Sequence, residues 1–185
     1  MLMELKELKA CLKADAERYD TVPNLKDWIL RNESWSIYHY VRHVRYLEYY
    51  KDKGWLGKIH YLYHFFKYKR LGARLRMAIY PGTVGPGIRI YHAGSYLHIG
   101  PNVRMGKNCT IVSGLVFGNR TEKMEEDEVH VGHGCYFGIN TTVLGGVTIG
   151  DGAIIGAHAV VLHDIPSGAT AVGVPSKIIK NTARQ

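Results

Sequence analysis

From Leu97 onward the chain repeats every six residues. The hexads are LHIGPN, VRMGKN, CTIVSG and LVFGNR, then, after the eight-residue interlude TEKMEEDE, VHVGHG, CYFGIN, TTVLGG, VTIGDG, AIIGAH and AVVLHD. The third position is apolar in all ten: Ile99, Met105, Ile111, Phe117, Val131, Phe137, Val143, Ile149, Ile155 and Val161. Against a background of 46% hydrophobic residues, chance gives such a run roughly four times in 10,000. A short strand and a sharp turn, repeated every six residues, close a triangular coil about every 18 residues. Third-position side chains then point inward and stack on their equivalents one coil away. Glycine fills the fourth position in seven of the ten hexads, and this reading gives it a positive φ at the turn. The first position includes the small residues Cys109, Cys135, Thr141, Ala153 and Ala159, as crowded corners require. Each coil buries its apolar side only against its neighbours, so this half of the chain is a solenoid. Cys109 and Cys135 are then core fillers. The interlude leaves the frame unshifted, so it is expected to loop out from a corner and to border the functional groove.

The front half has another character. Between Arg31 and Arg76 there are 11 Lys/Arg against Glu33, Glu48 and Asp52, a balance of +8, while the rest of the chain has 13 of each sign. Eighteen of the 21 glycines fall at or after Gly82, which places the change of architecture near residues 77–82. Residues 1–76 read as helix. Leu2, Leu5, Leu8 and Leu12 share one face. Asn24 caps a helix over Leu25–Arg31, and Ser34 caps another that runs to about Asp52 and stops at Lys53-Gly54. A last helix covers Leu56 to about Met77, in which Ile59, Leu62, Tyr63, Phe66 and Leu71 interleave with Lys58, Lys67, Lys69, Arg70 and Arg74. A basic, aromatic helix of this kind suits an anionic membrane surface; the plain alternative is helix-against-helix packing under a solvated cationic face. No recognition motif accompanies the charge, which argues against nucleic acid.

At 185 residues and 20.8 kDa the chain is expected to be one domain, or one with a small appendage. No apolar run approaches the ~18 residues of a membrane span. The first residues lack the basic-then-apolar order of a secretory signal. Three widely spaced cysteines fit a reducing cytoplasm, and none shows metal-ligand spacing.

Several stretches carry a resemblance. They are Tyr80-Pro81, Gly85-Pro86-Gly87-Ile88-Arg89-Ile90-Tyr91-His92, Ile99-Gly100, Gly145-Gly146-Val147-Thr148-Ile149-Gly150, and Gly173-Val174-Pro175-Ser176-Lys177-Ile178-Ile179. Together with the hexads they resemble the hexapeptide-repeat acyltransferases, and within them the serine acetyltransferases and their short relatives in surface-polysaccharide gene clusters. The resemblance implies a left-handed parallel β-helix solenoid preceded by a small α-helical N-terminal domain. The expected division is residues 1–77 helical, 78–180 β-helix and 181–185 tail. It also implies a homotrimer with active sites between subunits, and acetyl-CoA as co-substrate with no metal.

His92 falls on the family's catalytic base, and a neutral imidazole can take a proton from an alcohol as it attacks a thioester. Glu128 stands where the family has a second histidine and is expected to orient the substrate or the His92 ring. Acetyl-CoA would pass Asn119, Ile139 and Ala157 and end at Gly173, Pro175, Lys177 and Lys180, where lysines meet phosphates. Ala78 and Tyr91 replace two aspartates of the serine enzymes. Tyr91 and Tyr96 instead offer flat faces for a sugar ring. The resulting expectation is an O-acetyltransferase acting on a saccharide or polysaccharide precursor, with a lipid-linked saccharide at the inner membrane face, met through residues 31–76, as the acceptor that the basic, aromatic front end would suit. The alternative is serine O-acetyltransferase. Two further rivals are a non-catalytic scaffold and a γ-type carbonic anhydrase, which binds zinc on three histidines at the trimer interface; His130, His133 and His158 are the residues that suggest it, but they lack that family's ligand spacing.

Overall fold

Helix gives way to strand where the composition changes. The computed structural model describes residues 3–120, 122 and 127–181. Its helices are α1 (Leu5–Ala16), α2 (Leu25–Ile29), α3 (Glu33–Tyr50) and α4 (Gly54–Leu75). Arg76 ends α4 in the left-handed region, φ 59°, and the next residue opens a strand, two residues short of the helix end expected. Asn24 caps α2 as expected, its side chain accepting from the Lys26 N–H. Asn32, not Ser34, precedes α3; its side-chain amide donates to Asp27 at 2.8 Å, which fixes the chain reversal one turn earlier. In α1 the buried face is Leu8, Cys11 and Asp15, while Leu5 is exposed and Leu2 lies outside the described residues. The face turns this way because Asp15 has a buried partner in α3.

The strands are β1 (Met77–Ile79), β2 (Arg89–Ile90), β3 (Leu97–Ile99), β4 (Val103–Met105), β5 (Thr110–Ile111), β6 (Val116–Gly118) and β7 (Val129–Val131). They continue with β8 (Tyr136–Phe137), β9 (Thr142–Leu144), β10 (Thr148–Ile149), β11 (Ile154–Ile155), β12 (Val160–Val161), β13 (Ala169–Val172) and β14 (Lys177–Asn181). They form three faces: β1-β3-β6-β9-β12, β4-β7-β10, and β2-β5-β8-β11-β13-β14. Pairing is parallel everywhere except in the closing β13–β14 hairpin. All ten third-position residues are at most 5% exposed. Cys109 and Cys135 are fully buried, their thiols donating to Gly132 O and Gly150 O. Val131 pairs with Ile149, one regular coil on, but Met105 pairs with Val131 across a coil lengthened by the interlude. Residues 121 and 123–126 of that interlude lie outside the described residues, as do 182–185 of the tail.

The fourth-position glycines do not have positive φ. That conformation falls at the sixth position instead, on Asn108, Gly114, Gly134, Asn140, Gly152 and His158. The fourth-position glycines are needed for close approach. A Cβ on Gly138 would stand 2.5 Å from the Ala157 nitrogen, and one on Gly132 2.6 Å from the Asp151 nitrogen.

The helices close the open end of the solenoid. β1 is an edge strand, and such edges need their free backbone groups satisfied. Ile79 N–H donates to the Tyr40 hydroxyl at 2.9 Å, and the Tyr68 hydroxyl donates to Ile79 O at 3.0 Å. Arg45, 2% exposed, donates to Asp15 at 2.9 Å and to the carbonyls of Val84 and Gly85 at 2.6 and 2.8 Å. Asp15 in turn accepts from the N–H groups of Gly87 and Ile88. This buried pair is fully hydrogen-bonded, the condition under which burying charge is tolerated.

Candidate active site

His92 lies two residues past Ile90, at the corner where the third face passes into the first. Ile90 pairs with Ile111, Ile111 with Phe137, Phe137 with Ile155, and Ile155 with Ala171. The residues two further on are therefore one column down that corner: His92, Ser113, Ile139, Ala157 and Gly173. Backbone bonds tie it together, His92 N–H to Val112 O at 2.9 Å and His158 N–H to Ile139 O at 2.8 Å. At about 4.8 Å per coil, four steps separate His92 from Gly173 by ~19 Å. Ile139 and Ala157 are exposed. At the far end Gly173 (φ 96°) and the cis Val174–Pro175 bond turn the chain into β14, where Lys177 and Lys180 are exposed opposite Val172 and Thr170.

The His92 ring is held from the helical unit. Its Nδ1 lies 2.8 Å from Glu33 Oε1, and Glu33 Oε2 accepts the Ala93 N–H at 3.2 Å. A carboxylate can only accept, so Nδ1 is the donor, and in the neutral ring the lone pair is then on Nε2. Both side chains are about half exposed, His92 at 62% and Glu33 at 48%. Tyr91 stands beside His92, ring centroids 6.4 Å apart. The Arg89 guanidinium lies between Tyr91 and Tyr19, 4.8 and 3.7 Å from their ring centres. Burial pushes the Tyr19 phenol up, against the pull of Arg89.

The remaining expected residues are elsewhere. Tyr96 stacks on His98, not His92, and lines a cleft of about 380 Å³ with Ala78 and Tyr68. Within the single chain Glu128 does not reach His92: it pairs with Arg104 and His130, each at 3.5 Å. Asn119 accepts from Asn102 at 3.1 Å, and Asn102 also donates to Asp127 O. Asn119 and Glu128 thus belong to the corner between the first and second faces, one face away from the His92 column. A cavity of about 820 Å³ between α1, α3 and the first coil includes neither His92 nor Glu33. The three histidines of the zinc rival do not converge within the single chain. His133 accepts the Lys107 N–H, His130 faces Glu128 and His158 is a turn residue. Among the described residues no group of three or more His, Cys, Asp or Glu could hold a metal ion.

Glu33 was invisible to sequence reasoning. It is 59 residues from His92 and looks like any first-turn acid of a helix. Its only signal is negative, the missing carboxylates at Ala78 and Tyr91.

The bacterial transferase hexapeptide pattern (six repeats) matches residues 128–163. The architecture is a left-handed parallel β-helix behind a helical N-terminal unit, as solved neighbours show. A serine acetyltransferase from Neisseria gonorrhoeae superposes with a TM-score of 0.72 at 24% identity, covering 96% of this chain and 68% of its own. One from Brucella abortus strain S19 gives 0.74 at 20%, covering 96% and 71%. Another Brucella abortus structure, in complex with coenzyme A, gives 0.68 at 22% identity, covering 95% and 67%. At these identities the likeness is one of fold. By sequence the chain resembles the serine acetyltransferases of Bacillus subtilis, 32% identical over 108 residues, and Helicobacter pylori strain J99, 37% over 102. These matches cover 58% and 55% of this chain but 49% and 59% of the relatives, so the chain spans about half the length of the curated proteins it matches.

Proposed function

We propose that the protein is an acetyl-CoA-dependent O-acetyltransferase that transfers acetyl directly within a ternary complex. The carrying observation is the column from His92 to Gly173, which sets an oriented imidazole at one end and an exposed lysine turn at the other. An extended thioester carrier laid along Ile139 and Ala157 would put its phosphates near Lys177 and Lys180 and its acyl group near His92. His92 Nε2 takes the proton of the acceptor hydroxyl as its oxygen attacks the thioester carbonyl; the thiolate leaves and is protonated. Glu33 fixes the tautomer that leaves Nε2 free and offsets the charge that develops on the ring. The coenzyme A complex of the Brucella abortus relative supports the choice of carrier.

The expected residues divide between two corners, His92, Ile139, Ala157 and Gly173 on one and Asn119 and Glu128 on the other. One chain cannot bring these together. A homotrimer would, since packing copies side by side sets one corner against the other corner of its neighbour.

The named relatives favour L-serine as acceptor, ahead of the saccharide hydroxyl expected from sequence, which none of these comparisons supports. One observation keeps the saccharide as a second reading: Ala78 and Tyr91 leave an ammonium group without the family's carboxylates, and an unpaired desolvated charge costs a few kcal/mol. A lipid-linked saccharide would also suit the cationic helical unit. Thiol release from acetyl-CoA, with L-serine and with nucleotide- or lipid-linked sugars, tests both. His92→Ala should lower turnover by at least ~10²-fold while coenzyme A still binds. Turnover within threefold of the parent would remove His92 as the base.

A further inference from the structure

Helix α4 has two apolar faces, and only one of them is used. Gly57, His64, Tyr68, Gly72 and Leu75 are buried, on the side that packs on α3 and β1. Trp55, Leu56, Ile59, Leu62, Tyr63 and Phe66 point the other way, and each is more than half exposed. Their spacing makes one continuous stripe along the helix. At 100° per residue Lys58 and Lys69 fall along one edge of that stripe and Lys67 and Arg74 along the other, while Arg70 continues the stripe itself one turn beyond Phe66. All five cations are exposed, and α4 contains no acidic residue. The Lys67 ammonium lies 5.8 Å from the Tyr63 ring centre, alongside the outward stripe.

We propose that the outward face of α4 docks on an anionic membrane surface. The aromatic and aliphatic stripe enters the boundary between head groups and acyl chains, and the two cationic edges meet the lipid phosphates. The charge pattern selects this occupant over a second copy. A two-fold contact would place α4 against α4, setting five cations against five with no acid on either helix to pair them. No helix among the described residues is long and apolar enough to cross a membrane, so the contact is one of lying on the surface. This inference goes beyond the proposed acetyl transfer and stands without it.

The test is sedimentation of the full chain with phosphatidylcholine–phosphatidylglycerol vesicles and with pure phosphatidylcholine vesicles. The parent should partition onto the anionic vesicles and not the neutral ones. Two triple variants, I59Q/L62Q/F66Q and K58E/K67E/K69E, should each reduce partitioning by at least about tenfold, since a lysine near an anionic surface is worth roughly fivefold alone. Their side chains are exposed, and the charge variant leaves the stripe intact, so a folding defect in one would not disable the other. A parent that stays in the supernatant with anionic vesicles would overturn the proposal. So would variants that bind as the parent does. A concentration-dependent doubling of mass, abolished by I59Q/L62Q/F66Q, would assign the face to a second copy instead. An oligomer that this variant reduces to monomers would assign it to the neighbouring subunit.

Discussion

Acid should loosen the helical unit before it affects the solenoid. Between α3 and α4, His43 and His64 meet through their Nδ1 atoms at 2.8 Å, so one ring must donate and the other accept. His39 stands one turn before His43, its ring centre 4.1 Å from that of Trp35. Burial is the main force holding all three imidazoles down, from 6.5 to about 4. Arg42 adds to it at His39, His60 adds at His64, and His64, His39, Lys67 and Arg42 add at His43. The unfolded chain takes up these protons near pH 6.5, whereas the folded unit resists until about pH 4. The stabilisation is therefore complete above pH 6.5 and is lost as pH falls toward 4. At pH 5 the linkage is worth about 2 kcal/mol per histidine; solvent screening at the half-exposed His39 and His43 and relaxation around His64 leave about a third of that, ~2 kcal/mol for the three. With a urea dependence of about 1 kcal/mol per molar, the unfolding midpoint should drop by about 2 M between pH 7.5 and 5. Trp28, Trp35 and Trp55 all lie in helices, so tryptophan fluorescence reads this unit alone. A variant with glutamine at all three histidines should show a much flatter dependence. Equal midpoints at the two pH values in the parent, or an equal fall in the variant, would refute the assignment.

Glu33→Gln should lower kcat by about tenfold with little change in KM for acetyl-CoA, the modest size reflecting the half-exposed, screened pair; steady-state kinetics reads the split. Arg45→Ala strands Asp15 as a buried charge and should cost about 3–5 kcal/mol, measured by urea unfolding. Gly138→Ala pushes a Cβ to 2.5 Å from the Ala157 backbone and should cost roughly 1–3 kcal/mol of solenoid stability, seen as a lower thermal midpoint.

The inward register of the solenoid was legible because its period is local: each third-position side chain has one face to choose, and burial decides it. The turn's positive φ falls two residues beyond the position expected. Glycine at the fourth position suggested backbone freedom, but its function is to let one coil's backbone lie against the next. The residues that tolerate positive φ are the Asn and Gly that end the hexads, and these were equally visible in the sequence. His158 joins them at φ 57°. The site was half legible. His92 sits in a recognisable Gly-Pro-Gly setting, but Glu33 reaches it only through tertiary packing, which no spacing encodes. Glu128, expected to orient the substrate or the His92 ring, lies within the single chain against Arg104 and His130 at another corner, a separation that no spacing encodes.

The helical unit links stability of the solenoid end to the chemistry at His92. Along α3, twelve residues at 1.5 Å each put Glu33 and Arg45 about 18 Å apart. One contacts His92 and the other is locked to Asp15 of α1 and to Val84 and Gly85 of the first coil. Tyr40, between them, joins β1 through Ile79 N–H. A rigid helix pinned at its middle and far end cannot move its first turn freely, so Glu33 is aimed by contacts remote from the imidazole. Loosening the Arg45 clamp should therefore lower turnover as well as stability, and should do so under conditions where the solenoid remains folded. An Arg45→Ala protein that keeps full activity below its unfolding transition would show that Glu33 is held by its own hydrogen bonds to His92 and Ala93, and that α3 serves the solenoid only as an end cap.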